Sequence, residues 1–290
     1  VITKEKIENT PSKTVDDLLR TEAGIDVIRP YGETSKSQSI SLRGIYGARS
    51  SRILILLDGI PLNNLYNGSV DLNTIPIEII KRIEVVKGAG SALYGTNALG
   101  GVINIITKKA PKRFGLQLTG GVGNMGSRKS KLEINGTMRN LSFILSGTKF
   151  HTDGYQNTPQ EFQKSYYTYT DRRMDKNSLF TKLNYRLTPE SNLYIQILRY
   201  YDKTNFGRKN YFGRTDQNRF IFGYSLKRGL QFSLFVDDLD DSYTSTGSGD
   251  VIKYESFGDK NFGGLNFQNI LDLTTFWNLT WGIDFKEGNI

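Results

Sequence analysis

From Phe114 onward, apolar and polar residues alternate with a period of two. In Asn192 to Tyr201, Leu193, Ile195 and Ile197 share one face, while Asn192, Tyr194 and Gln196 share the other. Phe276 to Phe285 is cleaner: Trp277, Leu279, Trp281, Ile283 and Phe285 face one way, and Asn278, Thr280, Gly282 and Asp284 the other. Similar faces occur at Leu179/Thr181/Leu183/Tyr185/Leu187, at Phe220/Phe222/Tyr224/Leu226 and at Leu230/Phe232/Leu234/Val236. Such alternation predicts strands with two unlike faces. We count nine segments of about ten residues, the length at which a tilted strand crosses a bilayer. Their links differ in length. "NMGS" joins the first two segments, and "RNL", "TPES", "KRG" and "LTT" make tight links near Asn140, Pro189, Gly229 and Thr274. Long links are expected at about 151–175, 204–217 and 242–260. Short turns at one end and long loops at the other predict an outer-membrane barrel; the ends of a soluble sandwich need not segregate loop lengths in this way.

Residues 1–111 read differently, as a small α+β domain. "TVDDLLR" (Thr14 to Arg20) opens with an N-cap threonine and first-turn acids, which predicts a short helix. "SISLRG" alternates, and "SRILILLDGIPL" predicts a buried strand ending in the turn pair Asp58-Gly59. "IPIEIIKRIEVVKG" starts as a proline-led helical turn and passes into a strand. Gly88, Gly90, Gly95, Gly100 and Gly101 then raise the question of a nucleotide loop. The spacing is not G-x-G-x-x-G, no full helix follows, and the ending G-K-[ST] is absent, so the nucleotide reading fails.

Composition removes several classes of chemistry. There is no cysteine, hence no disulfide framework or thiolate metal site, and His151 is the single histidine. The formal charge of +9 is spread over the whole length rather than forming a basic stripe, which argues against nucleic acid. No apolar run reaches 18 residues, so no membrane helix is predicted; this leaves a β-barrel open. Nothing recommends an enzyme, because no acid pair stands at catalytic spacing.

Nine strands would leave two open edges, which lipid does not tolerate. An 8-stranded barrel is filled by side chains, whereas a domain of this size has a radius of gyration of about 13 Å. Either the first domain lies outside, or the strands open a much wider barrel. The second is the expectation here, with at least one further strand after Ile290.

The motifs carry a resemblance. "SISLRGIYGARSSRILILLDGIPLNN" followed by "IPIEIIKRIEVVKGAGSALYGTNALGGVINIITKK" resembles the plug domain of TonB-dependent outer-membrane receptors over essentially all of residues 1–111. The later strands resemble the opening of that family's barrel, and "KFHTDGY" with "YYDKTNF" is similar to its cobalamin branch. The resemblance implies a plug (1–111) followed by the first nine strands (112–290) of a 22-stranded transmembrane barrel in the bacterial outer membrane. It implies contact with lipid and lipopolysaccharide, and uptake of a scarce large nutrient, a cobalamin or a ferric siderophore. TonB and its inner-membrane complex would supply the energy, through a contact segment expected upstream of Val1. The glycines would then let the plug turn tightly and pack closely.

By the same resemblance, Arg43, Glu84 and Lys87 would make ionic contacts between plug and barrel wall. Such pairs hold firmly yet add little net stability. Substrate contacts are expected from Tyr46 to Ser51 and Asn63 to Asn67, with Tyr46, Arg49, Asn63, Asn64, Tyr66 and Asn67 as the named candidates. Asp175, Asp202, Asp237 and Asp241 form an acidic set that could hold calcium, as the cobalamin branch does, or else pair with Arg172, Arg173, Lys176 and Lys203. Asp175 and Asp202 are expected at nearly opposite positions on adjacent strands. No cofactor is otherwise expected. The alternative function is a passive or structural barrel, porin-like or adhesive, carrying an N-terminal domain.

Overall fold

A computed structural model describes residues 1–29, 38–45, 52–65, 67–88, 90–95, 97–227, 229–272 and 278–289; for residues 92–93, 257, 270–272, 278–280 and 289 it describes the backbone alone. The chain divides into two units, Val1–Lys109 and Ala110–Ile290.

In the first unit the all-apolar run Ile53–Leu57 forms strand β3, buried at every position. Successive side chains point to opposite faces, so both faces of β3 are covered and neither needs to be polar. The order is β4-β3-β6-β5, with β4 at Ile60–Pro61, β6 at Gly101–Thr107 and β5 at Ile80–Lys87. β3 runs parallel to β6, and β5 antiparallel to it. Asp58 (φ 50°) and Gly59 (φ 87°) form the expected two-residue turn between β3 and β4. The Asp58 carboxylate also accepts from the Thr107 N–H at 2.8 Å and the Thr107 hydroxyl at 2.6 Å, tying this turn to the end of β6. A second, two-stranded sheet pairs β1 (Ile25–Ile28) with β2 (Ser39–Leu42).

Helix α2 spans Val15–Arg20, as the sequence predicts, but the Thr14 side chain does not cap it. Its hydroxyl instead accepts from the Arg29 guanidinium at 2.5 Å. Helix α1 (Lys4–Asn9), capped by Thr3, was not foreseen. Pro76 leads a single 3-10 turn, Ile77–Ile79, into β5. The glycine-rich segment holds only one helical turn, α3 (Ser91–Tyr94). Gly101 (φ 144°) explains that segment: a Cβ there would lie 2.3 Å from the Val86 carbonyl oxygen and 2.5 Å from Leu42 Cδ1. Close approach of backbones is what this glycine allows.

The second unit is one antiparallel sheet of nine strands in chain order. They are β7 (Gly115–Val122), β8 (Arg128–Met138), β9 (Leu141–Thr152), β10 (Met174–Arg186), β11 (Ser191–Arg208), β12 (Tyr211–Leu226), β13 (Gln231–Thr246), β14 (Ile252–Asp272) and β15 (Asn278–Asn289). Register separates the two faces. Phe143, Leu183, Ile195, Phe222, Leu234, Leu265 and Phe285 form one cross-strand row, and Leu145, Thr181, Ile197, Phe220 and Val236 form the next. Many of these apolar side chains are exposed, as a lipid-facing band requires. The row one residue further along, Glu133, Ser146, Phe180, Leu198, Arg219, Asp237 and Phe262, lies on the opposite face and is buried.

Two of the three expected long loops are strand instead. β11 and β12 continue until only residues 209–210 separate them, and 247–251 join β13 to β14. Pairing persists through polar rows such as Asp216↔Asp240↔Asp259, where neither face is apolar and the periodic signal vanishes. Only 153–173 is a long link among the described residues.

Candidate functional site

The expected substrate loop of the first unit contains one residue with a different task. Asn63 is 1% exposed, and its amide is spent on backbone. Oδ1 accepts from the Ile55 N–H at 2.8 Å, and Nδ2 donates to the Ile53 and Gly68 carbonyls, both at 2.9 Å. β4 ends after two residues, so this side chain continues the ladder along β3. It is a structural residue, and the substrate assignment for Asn63 is corrected. Asn64 and Asn67 are partly exposed; Asn67 Oδ1 accepts from the Ser69 N–H at 2.9 Å, closing the loop tip. Tyr46, Arg49 and Tyr66, with the rest of 46–51, lie outside the described residues.

Arg43 and Lys87 come together beside two glycines. Arg43 takes a left-handed backbone (φ 51°), and its N–H donates to the Gly24 carbonyl at 3.0 Å. Lys87 Nζ donates to the Ala23 carbonyl. A Cβ on Gly88 would sit 4.0 Å from the Arg43 guanidinium, so the two cations share one patch. Glu84 is not with them: it pairs with Arg82 on its own strand at 2.7 Å. The deepest charge network of this unit was not foreseen. Arg29 binds Asp16, and Asp17 at 2.8 Å, with the Asp16 side chain fully buried. Burial alone would lower the Arg29 guanidinium pKa, but the hydrogen bonds and charges of both aspartates outweigh it and hold the group above its ordinary value. The two acids resemble ordinary first-turn helix charges in sequence, and nothing there points to Arg29.

At the long-link end of the second unit, segment 153–173 is fastened to two hairpin tips. Gln156 Nε2 donates to the Thr170 carbonyl at 2.7 Å and the Gly207 carbonyl at 3.0 Å. The Lys209 N–H donates to the Thr168 carbonyl at 2.9 Å, and the Gly249 N–H to the Tyr166 carbonyl at 2.7 Å. The Thr168 N–H donates to Asp250 Oδ1 at 2.8 Å. Thr168, through side chain and backbone, helped by Lys209 and Arg208, holds the Asp250 carboxyl below the usual carboxylate range. These ties gather aromatic rings around a cation. The Arg208 guanidinium lies 4.4 Å from the Tyr167 ring centre and 4.3 Å from that of Tyr211. Phe206 and Tyr243 meet Tyr211 edge to face, with ring centres at 5.2 and 5.6 Å. Such a surface offers π faces, hydroxyls and positive charge to a large ligand. The run "YYTYT" at 166–170 was its sequence signal.

The acidic set does not converge. Asp175 pairs in register with Lys203, and Asp202 with Lys176, so the two aspartates are one residue out of step and point to opposite faces. Asp175 binds His151 Nδ1 at 2.7 Å; Asp202 accepts from the Thr204 hydroxyl at 2.8 Å. Asp237 meets Arg219 at 3.4 Å and Gln217 at 2.7 Å, whereas Asp241 meets Thr215 at 2.8 Å and Lys260 at 3.2 Å. Among the described residues no three acid or histidine groups are placed to hold a metal. Strand register, invisible in the sequence, decides this.

Residues 1–102 match the family model of the TonB-dependent receptor plug domain. The first unit thus matches a TonB-dependent receptor plug domain. A vitamin B12 transporter, BtuB, of Vibrio cholerae serotype O1 is 40% identical over 125 residues, which are 43% of this chain and 20% of that protein. Two solved structures share the fold of nearly the whole chain. The siderophore receptor PirA from Acinetobacter baumannii superposes with a TM-score of 0.77 at 19% identity, covering 99% of this chain and 47% of the other. The ferric enterobactin receptor PfeA of Pseudomonas aeruginosa gives 0.74 at 22% identity, covering 99% and 48%. The chain thus spans about half the length of these structural neighbours, and the curated match spans a fifth of that relative. The TonB-dependent receptor fold accounts for both units: a plug, and antiparallel strands of a partial barrel.

Proposed function

We propose that this protein works in the bacterial outer membrane as a receptor for a scarce large nutrient, taken up with energy delivered through TonB. The observation that carries the reading is a plug domain followed in the same chain by a sheet with one apolar exposed face. A cobalamin is the favoured ligand, because the 40% identical relative is a vitamin B12 transporter. A ferric siderophore is the second reading, supported by the Tyr167–Arg208–Tyr211 stack, which suits an anionic aromatic chelate. In this reading Asn64 and Asn67 belong to the substrate side of the plug. Calorimetric titration of the complete protein with cyanocobalamin and with a panel of ferric siderophores tests the ligand. Uptake by cells with and without a collapsed proton gradient tests the coupling. Binding of neither ligand class, or uptake indifferent to the gradient, would sink the proposal.

A further inference from the structure

Four side chains close a circuit at the foot of the long link 153–173. His151, the single histidine, is the penultimate residue of β9. Its Nδ1 meets Asp175 Oδ1 on the neighbouring strand β10 at 2.7 Å, and its Nε2 meets Asp153 Oδ1 at 3.2 Å. Asp153 opens the link. Asp175 turns its other oxygen, Oδ2, to Arg173 Nε at 3.3 Å, and Arg173 ends the link. The run Asp153–His151–Asp175–Arg173 therefore joins the first residue of the segment to its last.

Both ends are anchored to backbone as well. The Asp153 N–H donates to the Met125 carbonyl at 2.9 Å, and a Cβ on Gly126 would run into the Asp153 carboxylate, so this aspartate sits on the turn between β7 and β8. At the other end the Asn205 N–H donates to the Arg173 carbonyl at 2.8 Å. Between these ends the link carries Tyr167 onto the Arg208 guanidinium.

We propose that His151 is a positioning residue for ligand capture: by clasping the two ends of segment 153–173 it fixes where Tyr167 stands over Arg208, and so completes the aromatic, cationic surface that meets an anionic aromatic chelate. The consequence for the ligand rests on the ferric-siderophore reading above; the clasp itself does not.

The ring gives the clasp a signature. Each of its nitrogens faces a carboxylate, which only accepts. A neutral imidazole donates through one nitrogen, whereas with its second proton it donates through both. The charged groups around it are Asp153 and Asp175 in contact, Arg173 on the far oxygen of Asp175, Arg128 opposite on β8, Lys149 two residues earlier on β9, and Lys203 beyond Asp175 on β11. The segment is held at both ends while the ring keeps its second proton, and loses one hold as pH rises through the ring's titration. Asp250 acts in the opposite sense and in stronger acid, where losing its carboxylate frees the Thr168 amide.

The test uses the complete protein in mild detergent with its histidine labelled by nitrogen-15, so that one ring reports its own proton. Hydrogen exchange, corrected for intrinsic rates, reads the amides at the two ends, Asp153 and Arg172, which donate to the Met125 and Tyr155 carbonyls. Their protection should fall about tenfold between about pH 5.5 and about pH 8, with the midpoint of the ring's titration. His151→Gln, which cannot gain a proton, should show the low protection at both pH values. Asp153→Asn, whose amide can donate to a neutral ring, should show the high protection at both. At about pH 6 a ferric tris-catecholate should bind the wild type and Asp153→Asn alike, and His151→Gln about tenfold more weakly. Protection that ignores the ring's proton, or a His151→Gln link as protected as that of the wild type, overturns the clasp. Equal chelate affinity in the wild type and His151→Gln overturns the positioning role. A wild type that binds no chelate removes the siderophore reading and the positioning role with it, while exchange still decides the clasp.

Discussion

Replacing Asn63 with alanine distinguishes a structural amide from a ligand contact. The change strands three backbone groups: the N–H of Ile55 and the carbonyls of Ile53 and Gly68. The site is 1% exposed, so water has little access to replace the lost partners. At about 1 kcal/mol for each orphaned group, the loss is about 3 kcal/mol. For a domain this size, stability is about 5–15 kcal/mol, so the effect is a large fraction of the whole. With a urea slope of about 1.5 kcal/mol per molar, the midpoint of residues 1–111 should fall by about 2 M. Fluorescence or circular dichroism during urea unfolding reads it. Asn63→Asp sharpens the result. It keeps the acceptor for Ile55 but sets a carboxylate against two carbonyl oxygens, which raises its pKa in the folded state. Stability of that variant is then fully present below the unfolded carboxyl value near pH 4 and declines as pH rises. A loss under about 1 kcal/mol, with ligand affinity reduced instead, would refute the structural assignment.

Residues 1–111 expressed alone should melt cooperatively, since the first unit carries its own buried sheet; a broad, non-cooperative melt counts against a self-contained domain. Gly101→Ala should cost roughly 3 kcal/mol or more, because its Cβ meets the Val86 carbonyl and Leu42, whereas Gly59→Ala, with open space around it, should cost only the strain of its positive φ (87°), about 1–2 kcal/mol. Urea unfolding of the pair checks the contrast. Arg29→Met should destabilise by about 3–5 kcal/mol by taking from the buried Asp16 its Arg29 partner, and adding Asp16→Leu should recover much of the loss. Asp250, whose carboxyl is held low, supports the Thr168 amide above the unfolded value near pH 4 and releases it as pH falls further. The protection factor of the Thr168 amide, which corrects for the intrinsic pH dependence of exchange, should therefore fall in acid, and in Asp250→Ala at neutral pH.

Legibility followed periodicity. Where one face is apolar, as along Leu193/Ile195/Ile197, alternation located the strands and their sidedness. Where both faces are buried, as at Ile53–Leu57, an unbroken apolar run served equally well. The period is lost in the outer parts of β11 to β14, because polar residues stand there on both faces. Those stretches looked like loops. Helix α1 escaped for a related reason: its six residues bury only Ile7, too little for a periodic signal.

The candidate site was less legible because it depends on offsets that sequence does not encode. Asp175 and Asp202 lie on neighbouring strands near the same height, yet a shift of one residue in pairing sends them to opposite faces. The same parity gathers Arg199, Lys203 and Arg214, which are far from uniform in spacing, onto one exposed surface. Asn63 shows the complementary failure. An asparagine in a polar loop reads as a ligand contact, and only the two-residue length of β4 reveals that β3 needs its amide. A polar residue's role is thus set by which backbone groups near it lack partners. In the same loop the Asn67 side chain meets such a need, accepting from the Ser69 N–H, while Asn64 closes the loop through its backbone to Gly68 and Ser69.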